Sequence, residues 1–184
     1  MKRAQQKSTT RQRFGRLLGV TIAAVSLAAC GFTPLYGAHS IADSPEVAEE
    51  LSTVAIRSIP NRQGVELRNI LREEMQPRGI ATPVYDLEVT LSTRTEELGI
   101  RPDATASRDN MYILAIFKLN KGGIPIFADR VQSIVSYDIL DDQFGTVAAQ
   151  GDAEKRGLKE IGDEIKIRLA VYFHDHAKVA ATGK

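Results

Sequence analysis

The sequence predicts an α+β fold, a two-layer sandwich in which two helices cover one face of a four-stranded mixed sheet. Three observations carry that expectation. Tyr85, Leu87, Val89 and Leu91 alternate with Asp86, Glu88, Thr90 and Ser92, the period of a strand with one buried and one wet face. Asn120-Lys121-Gly122-Gly123 separates two β-rich runs and reads as a hairpin turn. Two further segments, around Leu67 and around Ile165, repeat apolar residues at helical spacing.

Each element follows from its residues. Leu51 to Ile59 is β-rich through Val54, Ile56 and Ile59, and Pro60 ends it. Asn61 is a candidate N-cap for a helix. In that helix Leu67, Ile70, Leu71 and Met75 share one face, while Arg68, Arg72 and Glu73 lie elsewhere. Pro77 and Gly79 stop it, and the alternating strand follows. A polar segment runs from Thr95 to Asn110 and contains Gly99 and Pro102. Met111 to Leu119 is apolar on both faces, and after the turn the returning strand spans Ile126 to Tyr137. Beyond Asp141-Asp142 a long helix begins near Thr146, striped by Leu158, Ile161, Ile165, Leu169, Tyr172 and Phe173. Gly151, Gly157 and Gly162 each weaken it by ~1 kcal/mol relative to alanine, so packing must hold it. The order β-α-β-β-β-α gives a crossover from the first strand to a parallel neighbour, then a meander.

The N-terminus is a targeting segment. Lys2, Arg3, Lys7, Arg11, Arg13 and Arg16 precede an apolar run from Leu17 to Ser26, followed by Leu27-Ala28-Ala29-Cys30. A basic region, a short apolar core and small residues before a cut site make a secretory signal. The apolar core falls short of the ~20 residues that a spanning helix needs. Leu-Ala-Ala-Cys resembles a bacterial lipobox, in which the cysteine thiol takes a diacylglycerol before cleavage and the new amino terminus is then acylated. An ordinary signal peptide followed by an unrelated cysteine is the alternative, and it leaves the position of Cys30 at the cut site to chance. The expected organisation is a lipoprotein signal peptide over 1–29, a lipidated N-terminus and tether over 30–50, the sandwich domain over 51–176 and a flexible tail over 177–184.

Removing residues 1–29 leaves 18 basic and 23 acidic side chains, net −5. No basic stripe able to neutralise many phosphates is indicated, so nucleic acid is not an expected partner. Cys30 is the single cysteine, so lipidation leaves no intrachain disulfide and the fold rests on packing. Catalysis has little support, and no cofactor motif is legible. No Ser-His-Asp arrangement, nucleophile elbow or P-loop can be read in the sequence. His174-Asp175-His176 is a weak metal candidate, because residues at i and i+2 do not share a helical face. A histidine near a helix C-terminus more often suits the dipole, so no metal is expected.

One strand breaks the pattern of a two-layer sandwich. Tyr112, Leu114 and Ile116 put apolar side chains on the face that should be wet. Either they pack beneath the connecting loop or the tether, or they form a patch that docks on a partner or an acyl chain.

The mature chain resembles the LPS-assembly lipoprotein family, LptE, in its alphaproteobacterial form. The resemblance lies in Cys30-Gly31-Phe32-Thr33-Pro34-Leu35-Tyr36-Gly37, in the helix at Glu66-Leu67-Arg68-Asn69-Ile70-Leu71, in the three-strand meander, and in the long last helix from Asp152 to Phe173. It implies an outer-membrane lipoprotein, facing the periplasm within the lumen of a β-barrel LPS translocon. Such a protein plugs the barrel, assists its assembly and helps deliver lipopolysaccharide to the outer leaflet. Gly31 after the cysteine, rather than aspartate, agrees with outer-membrane sorting. The resemblance also implies lipid contacts from basic residues near strand ends and loops. Arg94, Arg101 and Arg108 lie around the second-to-third strand connection, and Lys118, Lys121 and Arg130 around the following hairpin. Arginine matches phosphate oxygens bidentately and lysine supplies a point charge. Glu96, Glu97, Asp103, Asp109 and Asp129 stand beside them, so ordinary solvated loop charge is the competing reading. Two other classes remain open: an accessory subunit of another envelope lipid transport system, and a tethered periplasmic enzyme.

Overall fold

The structure is a computed structural model and describes residue 42 and residues 44–100 and 106–182. The expected signal peptide, Cys30, most of the expected tether and Arg101 lie outside the described residues. Helix α1 (Pro45–Ser52) leads into strand β1 (Val54–Ile56) and helix α2 (Asn61–Met75). Strands β2 (Tyr85–Ile100), β3 (Ala106–Lys121) and β4 (Ile124–Asp138) follow, then the long helix α3 (Gln143–Thr182). The sheet order is β1-β2-β3-β4, with β1 parallel to β2 and the other pairs antiparallel. This is the expected mixed four-stranded sheet of an α+β fold, with three helices among the described residues.

The additional helix is α1. Pro45 sits in its first turn, where the missing N–H costs nothing. Val47 and Leu51 are buried, so the folded part begins before Leu51, inside the segment expected to be tether. Leu51 and Ser52 therefore close a helix rather than open a strand, and β1 is three residues long. Its outward carbonyls are not left bare: Arg68 donates to Ile56 O and Gln76 to Val54 O. Asn61 makes no side-chain cap. It takes a φ of 69°, which asparagine tolerates better than most residues, and so turns the chain into α2 directly after Pro60.

The polar segment Thr95–Asn110 is β-ladder rather than loop over much of its length. Glu96 pairs with Asn110, Glu97 with Asp109 and Leu98 with Arg108. Cross-strand hydrogen bonding extends the hairpin beyond the buried sheet, where alternation no longer marks a strand. At the other end Gly122 and Gly123 have φ of 59° and 82°, the two positive values that a type I′ turn requires. A bulge follows at Leu119/Asn120.

One layer of core lies between the sheet and the helices. Leu87, Met111, Ile113, Ala115, Phe117, Leu119, Val131 and Val135 face it from the strands. Leu67 and Leu71 of α2 and Leu158, Ile161, Ile165 and Leu169 of α3 meet them, as the apolar stripes predict. Tyr85, Phe117, Phe127, Tyr172 and Phe173 form a chain of ring contacts at the turn end, with centroids 4.8–5.9 Å apart. The helix starts at Gln143 and runs on to Thr182, into the segment 177–184 expected to be flexible. Ala177, Ala180 and Ala181 are strong helix formers, which suits that continuation.

Candidate functional site

The sheet's second face is open: no described helix or loop packs on it. Register fixes its population. Going across β2, β3 and β4, the outward rows read Glu88–Lys118–Ala128, Thr90–Ile116–Arg130, Ser92–Leu114–Gln132 and Arg94–Tyr112–Ile134. Tyr112 and Leu114 are half-buried by their neighbours, while Ile116 and Ile134 remain 46% and 55% exposed. The three apolar residues read from the sequence therefore share this face, and Ile134 joins them from the next strand. Ile134 sits in a plainly alternating strand, and only the register places it beside Tyr112.

The candidate cations among the described residues stand in strands rather than in loops. Arg94, Arg108, Lys118 and Arg130 stand inside strands and point to the open face, because a pleated strand sends alternate residues to each side. Arg94 lays its guanidinium 4.1 Å from the Tyr112 ring centroid and keeps Glu96 at 3.7 Å. Arg108 is spent on Asp138 at 3.0 Å, at the far end of the face. Lys118 and Arg130 flank Ile116 and have no carboxylate within ion-pair distance among the described residues. Lys121 departs from the group. It lies on the helix side, 5.2 Å from the Tyr85 ring centroid. The structure thus gathers a row of apolar side chains bordered by Arg94, Lys118 and Arg130. That arrangement suits an amphiphile or a protein surface with an apolar strip and anionic groups beside it.

The helix side holds polar networks with structural work. Buried Glu154 accepts from Arg62 at 2.6 Å and from Gln63 at 3.1 Å, and Gln63 accepts from Thr93 at 3.0 Å. The network ties the start of α2 to α3 and β2. Asp129 pairs with Arg168, whose hydrogen bond holds the carboxyl below its usual range. Burial, and then the hydrogen bond to Asp109, push the Tyr137 phenol up to about 12. His176 contacts the Tyr172 carbonyl and ring, and His174 lies 3.5 Å from Asp175. Among the described residues no three His, Cys, Asp or Glu side chains are grouped to hold a metal ion, and no helix is long and apolar enough to cross a membrane.

No family model and no curated protein matches the chain. Solved structures do share its fold. A lipoprotein from Caulobacter crescentus CB15 is 24% identical with a TM-score of 0.59, over 70% of this chain and 96% of that one. A minor lipoprotein from Acinetobacter baumannii is 12% identical with a TM-score of 0.53, over 66% and 92%. Lipoprotein B from Nitrosomonas europaea is 12% identical with a TM-score of 0.52, over 65% and 82%. The chain therefore has the small α+β fold of these bacterial lipoproteins.

Proposed function

We propose that this chain is an outer-membrane lipoprotein, anchored through a lipid on Cys30, that complexes with and plugs the β-barrel LPS translocon. In this reading it assists barrel assembly and lipopolysaccharide delivery to the outer leaflet, and acts by binding rather than catalysis. The observation that carries it is the open face. Ile116 and Ile134 stand exposed beside Tyr112 and Leu114, with Lys118 and Arg130 unpaired among the described residues at their border. Burying such a strip gains ~25 cal/mol per Å² removed from water, and the cations orient phosphate or carboxylate groups more than they add affinity. The lipobox and the fold shared with solved lipoproteins support the anchored envelope role. The sequence resemblance supplies the barrel and its lipid.

The test is an affinity pull-down of the lipidated protein from detergent-solubilised envelope. A large β-barrel partner is expected with the native chain and is expected to be lost with the double variant Tyr112→Asp, Leu114→Asp. Both side chains lie on the open face, so circular dichroism should show the variant folded. Recovery of an inner-membrane transporter instead assigns the chain to another envelope lipid transport system. A folded double variant that still captures the barrel removes this strand from the contact. Cys30→Ser should leave the precursor uncleaved and weaken membrane association; mass spectrometry finding an unmodified Cys30 inside a mature chain rules out the anchor.

A further inference from the structure

The two edges of the sheet are finished differently. At β1 the outward carbonyls are taken by Arg68 and Gln76. Along β4, a 15-residue edge strand, the backbone of the described residues meets a side chain only locally, where Arg130 N–H donates to the Asp129 carboxylate at 2.8 Å. Pro125, at the turn end of this strand, lacks an N–H and is tolerated there because the edge is free. A long uncovered edge is a template for another strand.

A slot opens beside the same edge. Helix α3 lies along β4, with Tyr172 stacked on Phe127 at 4.8 Å, Arg168 paired to Asp129 and Ser133 donating to Glu160. The spans agree: six strand residues cover about 20 Å and twelve helical residues about 18 Å. Past Tyr172 the helix presents Ile167 and Val171, 47% and 42% exposed, and with Phe127 they wall a slot of about 300 Å³. Its surroundings are acidic. Asp129, Glu160, Glu164 and Asp175 face this flank, and the cation Arg168 is already held by Asp129 and Glu164. Glu160 has no cation within ion-pair distance among the described residues.

From this juxtaposition we infer that the free edge of β4 docks an extended segment of another protein as a fifth strand, with an apolar side chain in the slot and a lysine or arginine beside Glu160. Main-chain hydrogen bonds along the edge supply affinity, and the slot and the acidic flank select the sequence. Phe127 and Ser133 are six residues apart on one face of β4, so the apolar and basic residues of the incoming strand are also six apart. A second copy paired edge to edge would bring the same acidic flank of Asp129, Glu160 and Glu164 up to this one, whereas a basic segment complements it. This inference does not rest on the translocon reading, which concerns the sheet's open face.

Fluorescence anisotropy tests it on the full lipidated chain in detergent. The probes are two labelled, end-blocked nine-residue peptides of alternating threonine. Their inward positions carry leucine and lysine six residues apart, in the two opposite orders to cover parallel and antiparallel docking. One order should bind, and methylation of alternate backbone nitrogens should abolish it. Val171→Glu and Ile167→Glu, both at exposed positions, should each weaken binding at least tenfold, and Glu160→Lys should do so for the lysine peptide. Val65→Glu, at an exposed position of α2, should leave binding unchanged. Absence of binding by both peptides overturns the inference, as does binding that survives backbone methylation or both slot variants. A dimer by light scattering that the slot variants dissolve also overturns it, by assigning the edge to a second copy.

Discussion

Gly151, Gly157 and Gly162 lie on one helix, so alanine at each makes the same local change in different surroundings. At Gly151 a Cβ would meet nothing within 4 Å. At Gly157 it would lie 2.7 Å from Ile113 Cδ1 and 3.1 Å from Val135 Cγ2, and at Gly162 2.6 Å from Ile70 Cγ2. Carbon atoms in contact sit about 3.5–4.0 Å apart, so neighbours at both sites must move by close to an ångström. Ile113 is fully buried and has little room to yield, whereas Ile70 is half-buried and can move toward solvent. Alanine gains ~1 kcal/mol of helix propensity at every site, and overpacking costs ~1–3 kcal/mol where the space is filled. Gly151→Ala should therefore stabilise the domain by ~0.5–1 kcal/mol. Gly157→Ala and Gly162→Ala should fall ~1–3 kcal/mol below it, with Gly157→Ala the less stable of the two. Urea unfolding followed by circular dichroism reads these differences as midpoint shifts at constant slope. Equal stabilisation at all three positions would refute the close approach of α3 to the sheet and to α2.

Further outcomes follow from the core and its polar network. Leu169→Ala and Ile165→Ala, both fully buried, should each cost ~2–5 kcal/mol in the same unfolding assay; a loss under 1 kcal/mol would place these side chains outside the core. Glu154→Ala should cost ~1–3 kcal/mol because it strips a buried network. Arg62→Ala, at a mostly exposed partner, should cost under ~1 kcal/mol, so equal losses would contradict the assigned burial. Tyr137 gives a pH dependence. Its phenol holds its proton up to about 12 in the folded chain against 10.0 unfolded. Its contribution is complete below pH 10 and is lost as pH rises through 10 towards 12, because the unfolded chain releases the proton first. Tyr137→Phe should flatten that part of the stability profile, and an unchanged slope would remove burial of the phenol as its cause.

The elements legible in the sequence are those whose signal is local. Alternation over Tyr85–Ser92, the Gly122-Gly123 turn and the stripe from Leu158 to Phe173 each report a repeat within a few residues of chain. The remaining elements lack such a local signal. Helix α1 is eight residues long and begins with a proline, so it reads as loop until Val47 and Leu51 are seen in the core. In the outer hairpin Thr95, Glu96 and Glu97 face Met111, Asn110 and Asp109 with no run of alternating apolar residues, and pairing rather than burial makes these segments strands. Proximity in sequence groups the candidate cations by strand connection. The pleat sorted them instead, keeping Arg94, Lys118 and Arg130 with the apolar row and sending Lys121 to the helix side.

By itself the sequence determined the α+β class, the two helical stripes and the existence of a strand apolar on both faces, and it carries the expectation of an export signal ending at Cys30. These depend on composition and short-range periodicity, which survive without knowledge of partners in space. Tertiary structure decided which residues meet. Register across three strands brought Ile134 beside Tyr112, helix packing gave Gly157 and Gly162 their purpose, and sheet order left β4 at an edge with a slot beside it. Those facts depend on contacts between residues far apart in the chain, and no window along the sequence contains both partners.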